Sequence, residues 1–264
     1  MRWEARASLT GQEAGLRLVI VLPPDPGTTA LAAASPQVQF LAVGIQGVQP
    51  SANLSAIGAQ GERLDQAGFT AGYLAAMITP DWRVGTLAAS DSLAGRLSRQ
   101  GFLNGAIYFC GLCLAYHGPS CDYPVYAEAP SSASSGEWQA AAQLLVARAV
   151  RTVYLTPGAG DEASWGLLLK SGAIFIGSRR PVPEALRSRW AATVLSDPLS
   201  VIQELLPDLL SGQGGASLPA PVVIVDVNPD LVSPGRLQLA EKMLGNLQNG
   251  LIDTGIDPLT GEPH

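Results

Sequence analysis

GERLDQAGFTAGYLAAMI at residues 61–78 is followed closely by RVGTLAASDS at 83–92 and RQGFLNGAIYFC at 99–110. The first stretch sets Phe69, Tyr73, Leu74 and Met77 at helical spacing, which predicts a helix over 62–78. RVGTLA is short and largely apolar and predicts a buried strand over 83–88, with Ser90 or Asp91 as the N-cap of a helix that runs to about Phe109. Helix, buried strand and helix in this order build parallel sheets covered on both faces.

The same alternation extends both ways. Upstream, LRLVIVL at 16–22 reads as a buried strand stopped by Pro23 and Pro24. A helix over 28–34, a strand over 38–45 and a Pro/Ser/Asn-rich loop to about Gly58 follow. Downstream, the pattern predicts strands over 123–128, 150–155 and 173–177, with helices over 137–149 and 162–170. The last third gives strands over 191–195 and 222–227, with helices over 199–210 and 234–249. The final helix has Pro in its first turn and Gly250 after its end. The segment GQGGASLPAP, between the last helix but one and the last strand, reads as a loop.

Composition narrows the function classes. The chain has 264 residues, room for one large domain or two lobes, and its 47% hydrophobic and 14% charged residues indicate a packed core rather than disorder. A formal charge of −6 repels phosphate backbones. The densest positive cluster, Arg179, Arg180, Arg187 and Arg189, is interrupted by Pro181, Pro183 and Glu184, so no nucleic-acid polymer is expected as a partner. No apolar run approaches the ~20 residues of a membrane span. The opening MRWEARASLTGQ has no signal-peptide pattern, which is expected either of a cytoplasmic protein or of a chain lacking its true start.

Few residues suggest chemistry. TPGAGDEASWG at 156–166 follows a strand and leads into a helix. Asp161 suits a helix cap there, and the glycine-rich backbone suits contact with a polar ligand; both readings stay open. Trp165, one turn into that helix, suits core packing or stacking on a flat ligand. Cys110, Cys113 and Cys121 lie within twelve residues around His117. They allow a disulfide from Cys121 to Cys110 or Cys113, free thiols, or a zinc site. With His117 and His264 as the only histidines, no GxSxG and no dinucleotide fingerprint, no catalytic constellation and no cofactor is expected.

Gly72-Tyr73-Leu74-Ala75, the strand and loop over 83–92, Gly101-Phe102 with Gly105, and the later VRTVYLTPGAGDEASWG and GAIFIGS resemble, in that order, the basic membrane protein (BMP) family of ABC-transporter substrate-binding lipoproteins. The resemblance covers roughly residues 16–260. It implies an α/β periplasmic-binding-protein fold of the ribose-binding class, with parallel sheets in two lobes joined by three crossovers. Lobe 1 would be 1–72 plus 190–215, without the family's N-terminal strand and helix; lobe 2 would be 73–189 plus 216–264. It also implies a monomeric, lipid-anchored extracytoplasmic protein that closes on a nucleoside-like ligand between its lobes and passes it to an ABC permease. Arg179 stands where the family has a ribose-binding acid, and Asp197 lies near the place of a family lysine.

In such a fold the ligand lies at the C-terminal ends of strands. The expected ligand-binding residues are therefore Ser90 and Asp91; Gly158, Gly160 and Asp161; Ser178 and Arg179; and Trp165 as the aromatic. Cys113–Cys121 is the expected disulfide. The alternatives are a sensor or interaction module on the same fold, and an enzyme on a Rossmann-like sheet.

Overall fold

A computed structural model describes residues 15–79, 81–111, 113–114 and 122–264, the side chains of Cys113, Leu114 and Asp122 excepted. In chain order the elements are β1 (Leu18–Val21), α1 (Thr28–Ala34), β2 (Gln39–Val43), β3 (Leu54–Ile57), α2 (Leu64–Ile78), β4 (Val84–Ala89) and α3 (Leu93–Cys110). Then come β5 (Cys113–Leu114), β6 (Asp122–Tyr123), β7 (Val125–Ala129), α4 (Ser135–Ala147), β8 (Thr152–Leu155), α5 (Glu162–Lys170) and β9 (Ile174–Gly177). The last are β10 (Trp190–Ser196), α6 (Leu199–Leu210), β11 (Ser217–Leu218), β12 (Val222–Val225) and α7 (Pro234–Gln248).

The chain forms two compact units, 1–62 with 196–221 and 63–195 with 222–264, so it passes between them three times. The expected boundary at 72/73 would have cut α2; the division falls at 62/63, before that helix begins. The other two divisions, expected at 189/190 and 215/216, fall at 195/196 and 221/222, which puts β12 and all of β10 but Ser196 in one unit.

The smaller unit carries a parallel sheet of order β1-β2-β3-β11. β2 is buried along its whole length. Its alternate residues serve two cores: Phe40 and Ala42 pack with Val21, Val38 and Leu54, while Leu41 and Val43 pack with Ile57 and Leu209 of α6. Strand β3 lies where the sequence predicts a loop to about Gly58. Asn53, which hid it, is a local device: its side-chain amide donates to the carbonyls of Ala32, Ser35 and Val38 and ties the strand's start to the end of α1.

The larger unit carries a sheet of order β12-β10-β9-β8-β4-β7, with parallel pairing across β7, β4, β8, β9 and β10. Side chains alternate between its faces. Leu87, Val153, Leu155 and Phe175 pack with Trp138 and Leu145 of α4 and Leu168 of α5. Val84, Tyr154 and Ile176 pack on the other face with Leu74 of α2, Phe102 of α3 and Leu244 of α7.

Helices α2 and α3 meet backbone to backbone. Gly68 and Gly72 on one, and Gly101 and Gly105 on the other, are each four residues apart, and a Cβ on any of them would lie 1.9–2.3 Å from a carbonyl oxygen of the facing helix. The GFTAG and GFLNG segments are thus the two sides of one seam, which only glycine permits.

Cys110 is disulfide-bonded. Cys121, His117 and the Cys113 side chain lie outside the described residues. The expected Cys113–Cys121 pair therefore lies outside the described residues. No helix among the described residues is long and apolar enough to cross a membrane.

Candidate functional site

In the larger unit the chain runs from β4 to β7 on one side and then to β8 on the other, so the topological switch lies between β4 and β8. Ligands of open α/β sheets gather beyond the C-terminal strand ends in this region. The residues after β4, β8 and β9 all emerge there.

Beyond β4, Ser90 donates its backbone N–H to the Ala129 carbonyl at 3.0 Å. Asp91 accepts from the Ser131 backbone N–H at 2.8 Å and the Ser131 hydroxyl at 2.9 Å, and these two bonds hold its carboxyl below the usual carboxylate range. The cap of α3 is Ser92, whose hydroxyl accepts from Gly95 N–H at 2.9 Å. Asp91 therefore pins the loop that enters α4 and does not start α3, one residue off the sequence reading.

Beyond β8, the loop over 156–161 turns sharply. Asp161 caps α5, accepting from Ser164 N–H at 2.9 Å, while the Ser164 hydroxyl completes a reciprocal capping box. Burial alone would raise the Asp161 carboxyl, but hydrogen bonds from Ser135 and Ser164 outweigh it and hold the group low. Gly160 has φ +74°, and a Cβ there would lie 2.4 Å from Trp165 Nε1. Its absence lets the indole fold back so that Nε1 donates to the Ala159 carbonyl at 3.2 Å.

Beyond β9, the Ser178 hydroxyl donates to the Leu155 carbonyl at 2.9 Å. Arg179 lays its guanidinium over the Trp165 ring, 4.7 Å from the centroid. The neighbouring Trp190, at the start of β10, sits where a Cβ on Gly177 would lie 2.0 Å from its ring, and its Nε1 donates to Thr193 Oγ1 at 3.0 Å.

These residues surround a hollow of about 240 Å³, counted out to open solvent. Its wall is Leu155, Thr156, Gly158 and Ala159 from β8 and its loop, and Ser178 and Arg179 from the end of β9. Trp165 and Trp190 complete it. Of the eight expected residues, four line the hollow: Gly158, Trp165, Ser178 and Arg179. Gly160 and Asp161 shape its wall from behind, and Ser90 and Asp91 do not line it. Trp165 is 8% exposed and its ring carries the Arg179 guanidinium.

The sequence reading missed Thr156 and Trp190. Thr156 is 3% exposed and its hydroxyl has no hydrogen-bond partner among the described residues. A polar residue directly after an apolar strand was the available signal for Thr156. For Trp190 it was an aromatic one strand over from a glycine.

No protein-family model matches the chain. No curated protein matches it in sequence. Solved structures match it in fold. An ABC-transporter solute-binding protein from Conexibacter woesei superposes with a TM-score of 0.69 over 90% of this chain and 79% of its own, at 15% identity. A transcriptional activator of the comK gene from Bacillus halodurans gives 0.59 over 89% and 80%, at 14% identity. A periplasmic solute-binding protein from Actinobacillus succinogenes, solved with D-allose bound, gives 0.50 over 86% and 81%, at 13% identity. The fold of this chain is that of the periplasmic binding proteins of the ribose-binding class.

Proposed function

We propose that this chain is the extracytoplasmic solute-binding component of an ABC uptake system, of the BMP type, and that it passes a small polar ligand to a membrane permease without changing it covalently. The observation that carries the reading is the hollow at the sheet's C-terminal edge, whose wall combines Thr156, Ser178, the Arg179 guanidinium mounted on Trp165, and Trp190. The fold shared with solute-binding proteins supports it. The hollow opens to solvent. It suits one end of a ligand such as a nucleoside or a related small molecule.

The test is calorimetry and thermal shift against nucleosides, bases, sugars and amino acids. At least one class should raise the melting temperature in a saturable way, and the shift should shrink in Trp190→Ala. Silence across the panel with full-length protein would sink the transport reading. The Bacillus halodurans regulator fold favours a second reading, a sensor that binds the same class of ligand without a permease. Recovery of the permease with the full-length protein from membranes separates the two.

A further inference from the structure

The hollow has one charged residue in its wall, and that residue is positive. Arg179 makes no ion pair among the described residues, and its contact is the Trp165 face. Its neighbour Arg180 is engaged differently, donating to both Asp226 oxygens at 2.8 and 2.9 Å. Of the two aspartates that follow β4 and β8, Asp161 is occupied by the α5 cap and Asp91 by Ser131.

The same wall includes a further polar residue, Thr156. Its hydroxyl is buried with no hydrogen-bond partner among the described residues. Burying a hydroxyl unsatisfied is costly, and a bound acceptor would offset that cost. A guanidinium has only donors, arranged in a planar fork, and a hydroxyl can add one more. Arg179 and Thr156 thus belong to one wall that contains no acid.

We infer that the hollow selects ligands bearing an anionic oxygen group, a carboxylate or a phosphate monoester, with Arg179 taking the charge and Thr156 donating to one of its oxygens. The inference rests on the solute-binding reading and names the ligand class of that site. Trp165 has a positioning part in it: its ring fixes the plane of the guanidinium, and Gly160 makes room for the ring.

The test uses matched neutral and anionic probes, with calorimetry on the full chain: ribose against ribose 5-phosphate, adenosine against adenosine 5′-monophosphate, and an N-acetyl amino acid amide against the N-acetyl free acid. Inorganic phosphate alone is a further arm. The anionic member of at least one pair should bind about tenfold or more tightly than its neutral partner. Which pair responds separates phosphate from carboxylate. Arg179→Met keeps an unbranched apolar stem beside Trp165 and should erase the preference. Arg179→Lys should keep part of it, and Thr156→Val should weaken the anionic member alone. The unliganded melting temperature of each variant controls for folding. Neutral members that bind as tightly as anionic ones, with no response to Arg179→Met, overturn the inference and leave the solute-binding reading standing. No binding by any probe or by the neutral panel overturns both.

Discussion

Glycine shapes two regions of the larger unit, and it does different work in each. In the α2–α3 seam, four glycines face the backbone of the opposite helix. At the sheet's C-terminal edge, Gly160 and Gly177 face the indoles of Trp165 and Trp190. A backbone carbonyl inside a helix has nowhere to go, while an indole can rotate. The seam therefore decides whether the unit assembles, and the edge decides the shape of the hollow.

The largest effect follows from the seam. A Cβ on Gly105 would lie 1.9 Å from the Phe69 carbonyl oxygen, and one on Gly72 2.0 Å from that of Phe102. Gly105→Ala or Gly72→Ala must push the helices apart, at an expected cost of about 3 kcal/mol or more, beyond ordinary overpacking. Urea denaturation measures it. Gly166→Ala is the internal control. It lies in α5 with nothing within 4 Å of a new Cβ, and it should stabilise by about 0.5–1 kcal/mol. A seam variant as stable as the parent would break the comparison.

At the edge the expected losses are smaller and reach binding. Gly177→Ala meets the Trp190 ring at 2.0 Å and should cost about 1–3 kcal/mol while displacing that ring from the hollow. Gly158→Ala meets nothing within 4 Å, so its penalty is conformational only, from φ +75°, at about 1 kcal/mol. Ligand titration of Gly177→Ala sharpens the contrast: affinity should fall because the Trp190 ring is displaced. If Gly177→Ala destabilised as much as Gly105→Ala, the two regions would not differ in kind.

The two regions also differed in how far they could be read from sequence. The βα alternation was plain because buried strands such as FLAV and TVYL are continuous apolar runs, and α5 and α6 emerged with the expected bounds. Gly68, Gly72, Gly101 and Gly105 sat in motifs that marked a family resemblance, but a seam requires knowing which helices touch, and spacing within one helix does not say. Strand β3 was hidden because SANLSAI has polar residues serving local bonds rather than solvent. The strand-end rule placed Ser178, Arg179 and the 156–161 loop at the sheet edge. It could not separate Asp91 and Asp161, which cap and pin loops, from residues that line the hollow, because an aspartate after a strand serves either purpose. The position of Trp165 suits a ligand platform, yet its ring carries a residue fourteen positions later, a tertiary pairing that sequence order conceals.

Thr156 offers an effect of opposite sign. Its buried hydroxyl is unpartnered among the described residues, so Thr156→Val exchanges it for a methyl of similar size. The variant should be about 1 kcal/mol more stable without ligand, since an unsatisfied buried hydroxyl is a cost. Thermal unfolding checks this. A loss of stability would mean that the hydroxyl is satisfied in solution, and the edge would then be a closed polar network like a helix cap rather than an open donor site.

The smallest expected effect concerns the pair that ties the loop after β9 to the end of β12. Arg180 grips Asp226 through two hydrogen bonds, and this grip, against a lesser push from burial, holds the Asp226 carboxyl below the usual carboxylate range. The folded-state pKa is thus depressed, so the pair's contribution is present above the unfolded-state pKa and is lost as pH falls through the folded one. The Arg180 side chain is 48% exposed, so solvent screening limits the contribution to about 0.2–1 kcal/mol. Asp226 has φ +50°, a conformation that asparagine adopts as readily, so Asp226→Asn removes the charge without new backbone strain. Urea denaturation from neutral pH into the carboxylate range should show the parent losing a few tenths of a kcal/mol more than Asp226→Asn, with the gap narrowing in high salt. Because the pair holds the far side of the sheet edge and not the helix seam, the same pH series in Gly105→Ala should keep the full Asp226-dependent difference; its disappearance there would show that the seam and the edge are coupled.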